Sequence, residues 1–280
     1  MGTRIRFHDG WDKTLRGRIP WDADRLLNAP GSERVKGDPS RIVVRREVGT
    51  PAGGGAVAYF KCYRPRNGWV AFRQFWLPGK AVREYKLGHR CFERGIPTAR
   101  PLACAEVRQG LAFKTGHLIL EEIPEARSVR EMMLHSGGEV SVNRLARLLG
   151  EWVARIHARG FYHDDFRCDH ILLQRPEDGT PSFSVIDLDG CKILGEMSPY
   201  RRVKNLAQLL RSLPKDKVPP AALLRFLAAY GRFSGVSRME LRRWAREAAL
   251  ISRLRKARIP KVLILVAWLR ERLRPSVRSR

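Results

Sequence analysis

Long hydrophobic runs are missing from this chain. The longest, VLILVAWL from Val262 to Leu269, falls far short of the ~20 apolar residues that a membrane-spanning helix needs. Cysteine is sparse: Cys62, Cys91, Cys104, Cys168 and Cys191 are scattered, with no C-x-x-C pair. Such spacing argues against a disulfide framework and fits reduced thiols in a cytoplasmic protein. The opening residues, MGTRIRFHDG, lack the apolar core of a secretory signal, which also leads us to expect a cytoplasmic chain. Acids are scarce too, 28 against 54 Lys and Arg in 280 residues, for a net charge of +26. A surface this basic seeks polyanions: nucleic acid, phosphorylated substrates or an anionic membrane face. The chain has no internal repeat, no low-complexity segment and no basic platform interleaved with aromatics, so nucleic acid is not the expected partner.

With 44% hydrophobic residues, the chain can bury a full core. Arg41 to Val48 and AVAYFKCYR read as strands, joined by GTPAGGG. Gly53, Gly54 and Gly55 could cradle a phosphate, but no helix follows them, and a hairpin turn is the better reading. The segment from Lys80 carries a rough helical stripe through Val82, Tyr85, Leu87 and Phe92, stopped by Gly95 and Pro97. GHLILEEIPEA is a short strand. VNRLARLLGEWVARIHARG is the strongest helix, with Val142, Leu145, Leu149, Val153 and Ile156 on one stripe and Gly160 as its cap. HILLQ and SFSVID form a strand pair around an Asp178–Gly179 turn, and everything beyond Tyr200 reads as helix. Strands crowd the first half and helices the second. The expectation is an α+β protein of two lobes, residues 1–123 and 124–280.

The stretch FYHDDFRCDHILL, Phe161 to Leu173, packs seven ionisable groups between segments that want to be buried. Three readings compete: a metal site, a catalytic loop or a polar turn. His163, Cys168 and His170 match no structural zinc spacing. The context favours phosphoryl transfer. A long helix precedes the stretch and a hairpin follows it, ending at Asp187. One carboxylate, Asp165, would orient the attacking hydroxyl and accept its proton. A second, Asp187, with a further ligand, would hold Mg²⁺ on nucleotide phosphates, and Asp189 is the competing ligand. Lys61, on a strand, is spaced to pair with Glu84 on the next helix and so present its ammonium to those phosphates.

These residues resemble a known pattern. HDDFRCDH is similar to the protein-kinase catalytic loop H-R-D-L-x-x-x-N, with His163, Asp165 and His170 in the places of its His, Asp and Asn. VIDLDG resembles D-F-G, and LILEEI resembles the segment that holds adenine through its backbone, here at Glu122 and Ile123. His170 in the Asn place and IDLD for D-F-G are similar to the Kdo/WaaP lipopolysaccharide kinase family, as are EYKLGHRCFERGIPTARPLA and NLAQLLRSL. The resemblance covers roughly Arg41 to Tyr230. It implies a bilobal protein-kinase-like fold with a mainly-β first lobe and a mainly-α second. It also implies ATP with Mg²⁺, metal ligands Asp187 and His170, and a heptose or Kdo hydroxyl of the lipopolysaccharide inner core as acceptor.

The chain departs from the pattern in places. No G-x-G-x-x-G precedes Lys61, which leaves KGDPSR to cover the phosphates; Asp164 replaces the loop Arg; and Asn205 stands where such kinases carry an acid. These departures keep a second expectation open, a catalytically impaired kinase-like module that docks on an anionic membrane or a partner. From Arg238 to Arg280 there are fourteen Lys and Arg against three acids, beside the apolar Val262 to Leu269 run. That combination suits the cytoplasmic face of an anionic inner membrane.

Overall fold

The computed structural model describes residues 2–16, 19, 21–38, 40–65, 67–69, 77–110, 112–135, 141–175, 181–214 and 216–273. The chain divides into two compact units, Met1–Pro124 and Glu125–Arg280.

The first unit holds β1 (Gly2–Phe7), α1 (Trp11–Leu15), α2 (Ala23–Leu27), β2 (Glu33–Asp38), β3 (Arg41–Gly49) and β4 (Gly55–Tyr63), then α3 (Lys80–Glu93), β5 (Pro101–Gln109) and β6 (Ala112–Glu121). Its six strands form one antiparallel sheet in the order β1-β5-β6-β4-β3-β2. Period-two alternation along β4 sorts its side chains between the two faces. Ala58, Phe60 and Cys62 join a cluster with Trp11, Leu15 and Leu26 of the two short N-terminal helices. Tyr63 turns to the opposite face and packs with Ala81, Val82 and Tyr85 of α3.

The glycine-rich GTPAGGG turns a hairpin. Gly49 pairs with Gly55, and Thr50 closes the loop on the Gly53 carbonyl through its hydroxyl at 2.6 Å. KGDPSR is divided between two strands and a tight connection. Lys36 to Asp38 belong to β2, Asp38 pairs with Arg41 of β3, and Ser40 donates to the Asp38 carboxylate at 2.7 Å. Pro39 lies outside the described residues. Helix α3 buries Ala81, Val82, Tyr85, Leu87, Gly88 and Cys91 but leaves Phe92 exposed. Phe92 therefore drops out of the stripe expected from the sequence.

The second unit begins with β7 (Arg127–Ser128), α4 (Val129–His135) and α5 (Val142–Ala158). Next come β8 (Phe161–Tyr162), a 3₁₀ turn (Cys168–His170), β9 (Ile171–Gln174), β10 (Ser182–Val185) and β11 (Lys192–Ile193). Four helices close it: α6 (Pro199–Ser212), α7 (Pro220–Ser234), α8 (Arg238–Lys256) and α9 (Lys261–Leu273). Helix α5 starts where Ser141 accepts from the Arg144 N–H at 3.2 Å. It ends at Gly160, whose φ of 80° only glycine adopts cheaply. A Cβ there would collide with the Leu194 carbonyl oxygen, so glycine is also what lets β11 close on β8. β9 and β10 pair antiparallel as expected, and their Asp178–Gly179 turn lies outside the described residues.

Helices α8 and α9 are fastened by Glu247. Its fully buried carboxylate accepts from Trp268 Nε1 at 2.6 Å and lies 3.5 Å from both Arg243 and Arg272. Apart from Ile264 and Trp268, α9 buries little. Among the described residues no helix is long and apolar enough to cross a membrane.

Candidate active site

In the first unit, Lys61 and Glu84 form the expected pair. Lys61 Nζ lies 2.5 Å from Glu84 Oε1, and both side chains are buried. Tyr63 donates its hydroxyl to the other oxygen, Oε2, at 2.5 Å. Sequence reasoning missed Tyr63, although its place two residues after Lys61 on one strand puts it on the same face. Burying an ion pair gains little net stability, because desolvation offsets the Coulomb attraction. The arrangement is better understood as a device that fixes an ammonium group in place. At the end of β6, the Glu122 N–H is committed to the Val57 carbonyl at 2.9 Å. The Glu122 side chain accepts a bidentate fork from Arg45 at 2.8 and 3.0 Å and a bond from the Tyr59 hydroxyl at 3.1 Å. The fork holds its carboxyl below the usual range. Any adenine contact at Glu122 thus falls to its carbonyl. Ile123 packs its side chain against the α3 cluster.

In the second unit, the loop after β8 is built around His163, which is 1% exposed. The Asp165 N–H donates to Nδ1 at 3.1 Å, so the ring proton sits on Nε2 and is given to the Ile186 carbonyl at 3.0 Å. Burial pushes the His163 pKa down, which keeps Nδ1 available as the acceptor.

His170 ties the catalytic candidates together. Its Nδ1 donates to the Asp165 backbone carbonyl at 2.9 Å and lies 3.8 Å from Asp165 Oδ2. Its Nε2 lies 4.0 Å from Asp187 Oδ2. The carboxylates of Asp165 and Asp187 therefore flank one imidazole, which stacks on the His163 ring at 5.8 Å. Asp187 lies two residues beyond the end of β10, with a φ of 62°. For a residue other than glycine this left-handed backbone costs of order 1–3 kcal/mol and is characteristic of functional positions. Arg167 lays its guanidinium on Asp169 Oδ2 at 2.8 and 3.3 Å. Among the described residues no group of three or more His, Cys, Asp and Glu is placed to hold a metal by itself.

The loop is anchored from a helix that follows it in the chain. Helix α6 presents Asn205, Gln208 and Ser212 on its buried face, at helical spacing. Asn205 donates to the His163 carbonyl at 2.6 Å and accepts from the His163 N–H at 3.3 Å. Gln208 donates to the Asp164 carbonyl and accepts from the Phe166 N–H at 3.4 Å. Ser212 accepts from the Cys168 N–H at 2.9 Å. Three neutral side chains thus bond the backbone of residues 163, 164, 166 and 168, with Asn205 in the place where such kinases carry an acid. The readable signal was a polar row on the apolar side of an amphipathic helix.

A model described as "Lipopolysaccharide kinase (Kdo/WaaP) family" matches residues 73–230, more than half of the chain. The chain belongs to the Kdo/WaaP family. Within it, a 3-deoxy-D-manno-octulosonic acid kinase of Xylella fastidiosa (strain M23) is 29% identical over 165 residues, 56% of this chain and 62% of that protein. The enzyme of the same name from Stenotrophomonas maltophilia (strain R551-3) is 31% identical over 136 residues, 49% of this chain and 51% of that one. The chain therefore spans between half and two thirds of the length of these Kdo/WaaP relatives. A solved structure described as "WaaP in complex with acyl carrier protein" superposes with a TM-score of 0.58 at 21% identity, covering 88% of this chain and 98% of that one. The fold is thus the α+β, protein-kinase-like fold of WaaP, and the family match includes Glu84, Glu122, Asp165, His170 and Asp187.

Proposed function

We propose that this protein is an ATP-dependent kinase that phosphorylates a sugar hydroxyl, of heptose or Kdo, in the inner core of lipopolysaccharide. The observation that carries this reading is the pair of carboxylates, Asp165 and Asp187, on either side of His170. Membership of the Kdo/WaaP family supports the acceptor class. Asp165, half exposed at the loop tip, orients the acceptor hydroxyl. It takes the proton as that oxygen bonds to the γ-phosphorus and the bond from phosphorus to the departing ADP oxygen breaks. Lys61, held by Glu84, binds phosphate oxygens, and the Glu122 carbonyl with the Ile123 backbone receives adenine.

The residues fit a magnesium ion held jointly by protein and substrate. Mg²⁺ prefers oxygen donors and usually takes only one or two carboxylates from a protein, the rest being phosphate and water. Asp187 would be its carboxylate ligand. His170 suits a supporting place, since a neutral imidazole is a poor ligand for so hard an ion while its Nδ1–H already fixes the loop. The bound ion would neutralise charge on the phosphates.

The test is to incubate the full chain with γ-labelled ATP, Mg²⁺ and lipopolysaccharide cores that differ at heptose and Kdo. Label on a core is expected. Transfer to none of them overturns the kinase reading and leaves the alternative of a kinase-like docking module.

A specific feature of α9 supports a second proposal, that this end of the protein rests on an anionic membrane. Val262, Leu263 and Leu273 are 71%, 55% and 80% exposed. Leu263 and Val266 line a cavity of about 710 Å³ together with Arg246, Arg253 and Arg270 and a single acid, Glu271. Apolar side chains set among arginines match acyl chains beneath acidic headgroups. Vesicles containing phosphatidylglycerol should float the protein, and Leu263→Glu with Val266→Glu should abolish flotation. Equal flotation on neutral vesicles, or none on acidic ones, sinks this idea.

A further inference from the structure

We propose that a basic pocket beside the catalytic loop, walled by Lys192, Arg201 and Lys204, binds an anionic substituent of the acceptor sugar, a phosphate or a carboxylate. This rests on the kinase reading and specifies the recognition it requires. The pocket measures about 520 Å³, within the range of small-molecule sites. Its position follows from the chain. Asp164, one residue before Asp165, forms part of its wall. Gly190, with a φ of 79°, brings the segment after Asp187 so close that a Cβ there would stand 3.1 Å from the Asp164 Cβ. A group bound here touches the catalytic loop at Asp164, one residue along the chain from Asp165.

The charges do not balance within the pocket. Its single carboxylate, Asp164, accepts from the Tyr162 hydroxyl at 2.9 Å and from Lys204 at 3.1 Å. Partial burial works against its charge, yet the bonds from Lys204 and Tyr162 outweigh that and hold the carboxyl below its usual range. Lys204 is therefore answered, while Lys192 and Arg201 are paired with no carboxylate among the described residues. The pocket also takes in the N-terminal turn of α6, a helix of fourteen residues whose N-cap Ser198 makes no side-chain capping bond. The positive end of that helix adds to the attraction for an anion. The Arg201 guanidinium and the Lys204 ammonium both lie over the Tyr162 ring, 5.9 and 5.1 Å from its centroid, which holds the two cations at the pocket wall. In the protein-kinase pattern a loop arginine provides positive charge at the Asp164 position. Here the loop residue is acidic, and the cations come from α6 and β11 instead.

The test compares wild type with the double variant Lys192→Ala/Arg201→Ala. Losing two charged contacts is expected to raise the acceptor KM by roughly 10- to 100-fold, with the change confined to KM. The pair Lys192→Arg/Arg201→Lys should restore most of it. Dephosphorylated cores and carboxylate-reduced cores then separate the two sources. The group that matters is the one whose removal raises the wild-type KM and leaves the variant unchanged. An unaltered acceptor KM, or a fall in kcat alone, overturns the proposal. Should wild type transfer no phosphate at all, the kinase reading fails by itself. The pocket is then decided by equilibrium dialysis of labelled core oligosaccharide against the full chain without nucleotide. Weaker binding by the double variant upholds the pocket, and equal binding overturns it.

Discussion

Asp165→Asn is expected to slow phosphate transfer by roughly 10²- to 10⁴-fold, the usual worth of a positioned general base, while Mg·ATP still binds. The substitution keeps the shape of the side chain and removes its capacity to take a proton. It should also leave the loop standing, because the loop is held through its backbone. The Asp165 N–H donates to His163, and the Asp165 carbonyl accepts from His170. Asn205 bonds the backbone of His163 in both directions, and Gln208 holds the Asp164 carbonyl. None of these bonds involves the Asp165 carboxylate, so a loss of rate reports on chemistry rather than on folding. Rapid-quench measurement of label transfer, beside calorimetry of nucleotide binding, separates the two. Near-wild-type turnover would remove Asp165 from the mechanism.

Much of this site could be read from the sequence because its residues lie close together along the chain. Asp165, His170 and Asp187 fall on a helix–loop–hairpin, where local geometry dictates proximity. Lys61 and Glu84 are separated by 23 positions, but strand followed by helix is a simple enough unit to project. The Asn205, Gln208 and Ser212 anchor was missed for the opposite reason. It reaches back about 42 residues to the loop, and buried amides on an amphipathic helix look like defects in its stripe until the partner backbone is known. In the same way, nothing local assigns the Glu122 side chain to Arg45, 77 residues away.

The fold shows the same division. The hairpins and the C-terminal helices followed their periodicities. β1, α1, α2, β2 and β5 did not announce themselves. Helices α1 and α2 have five residues each, too short for a period to register. β5 lies between β1 and β6 and is buried from Pro101 to Val107, so it shows none of the alternation that marks a strand with one wet face. Asp187 had been expected to end a strand. It lies past the strand's end because its left-handed backbone cannot continue the ladder.

That backbone sets up a prediction in which stability and function part company. Asp187→Ala and Asp187→Gly should both lose Mg²⁺-dependent ATP affinity, by at least the roughly 10- to 100-fold that weaker perturbations of metal sites cause. Their effects on folding should differ. At a φ of 62° alanine carries the full steric penalty of a Cβ, whereas glycine carries none. After allowing for the greater freedom of glycine in the unfolded chain, the Gly variant should exceed the Ala variant by about 1 kcal/mol in urea unfolding. A residue kept only for structure would not be an aspartate where glycine is the more stable choice, so the strain makes sense if the carboxylate is needed for a ligand. Asp189, two positions on and the competing ligand, tests the register: Asp189→Asn should bind Mg·ATP as wild type does. If instead Asp187→Gly binds the nucleotide normally and Asp189→Asn does not, the metal ligand is Asp189, and the strained backbone at Asp187 needs another explanation.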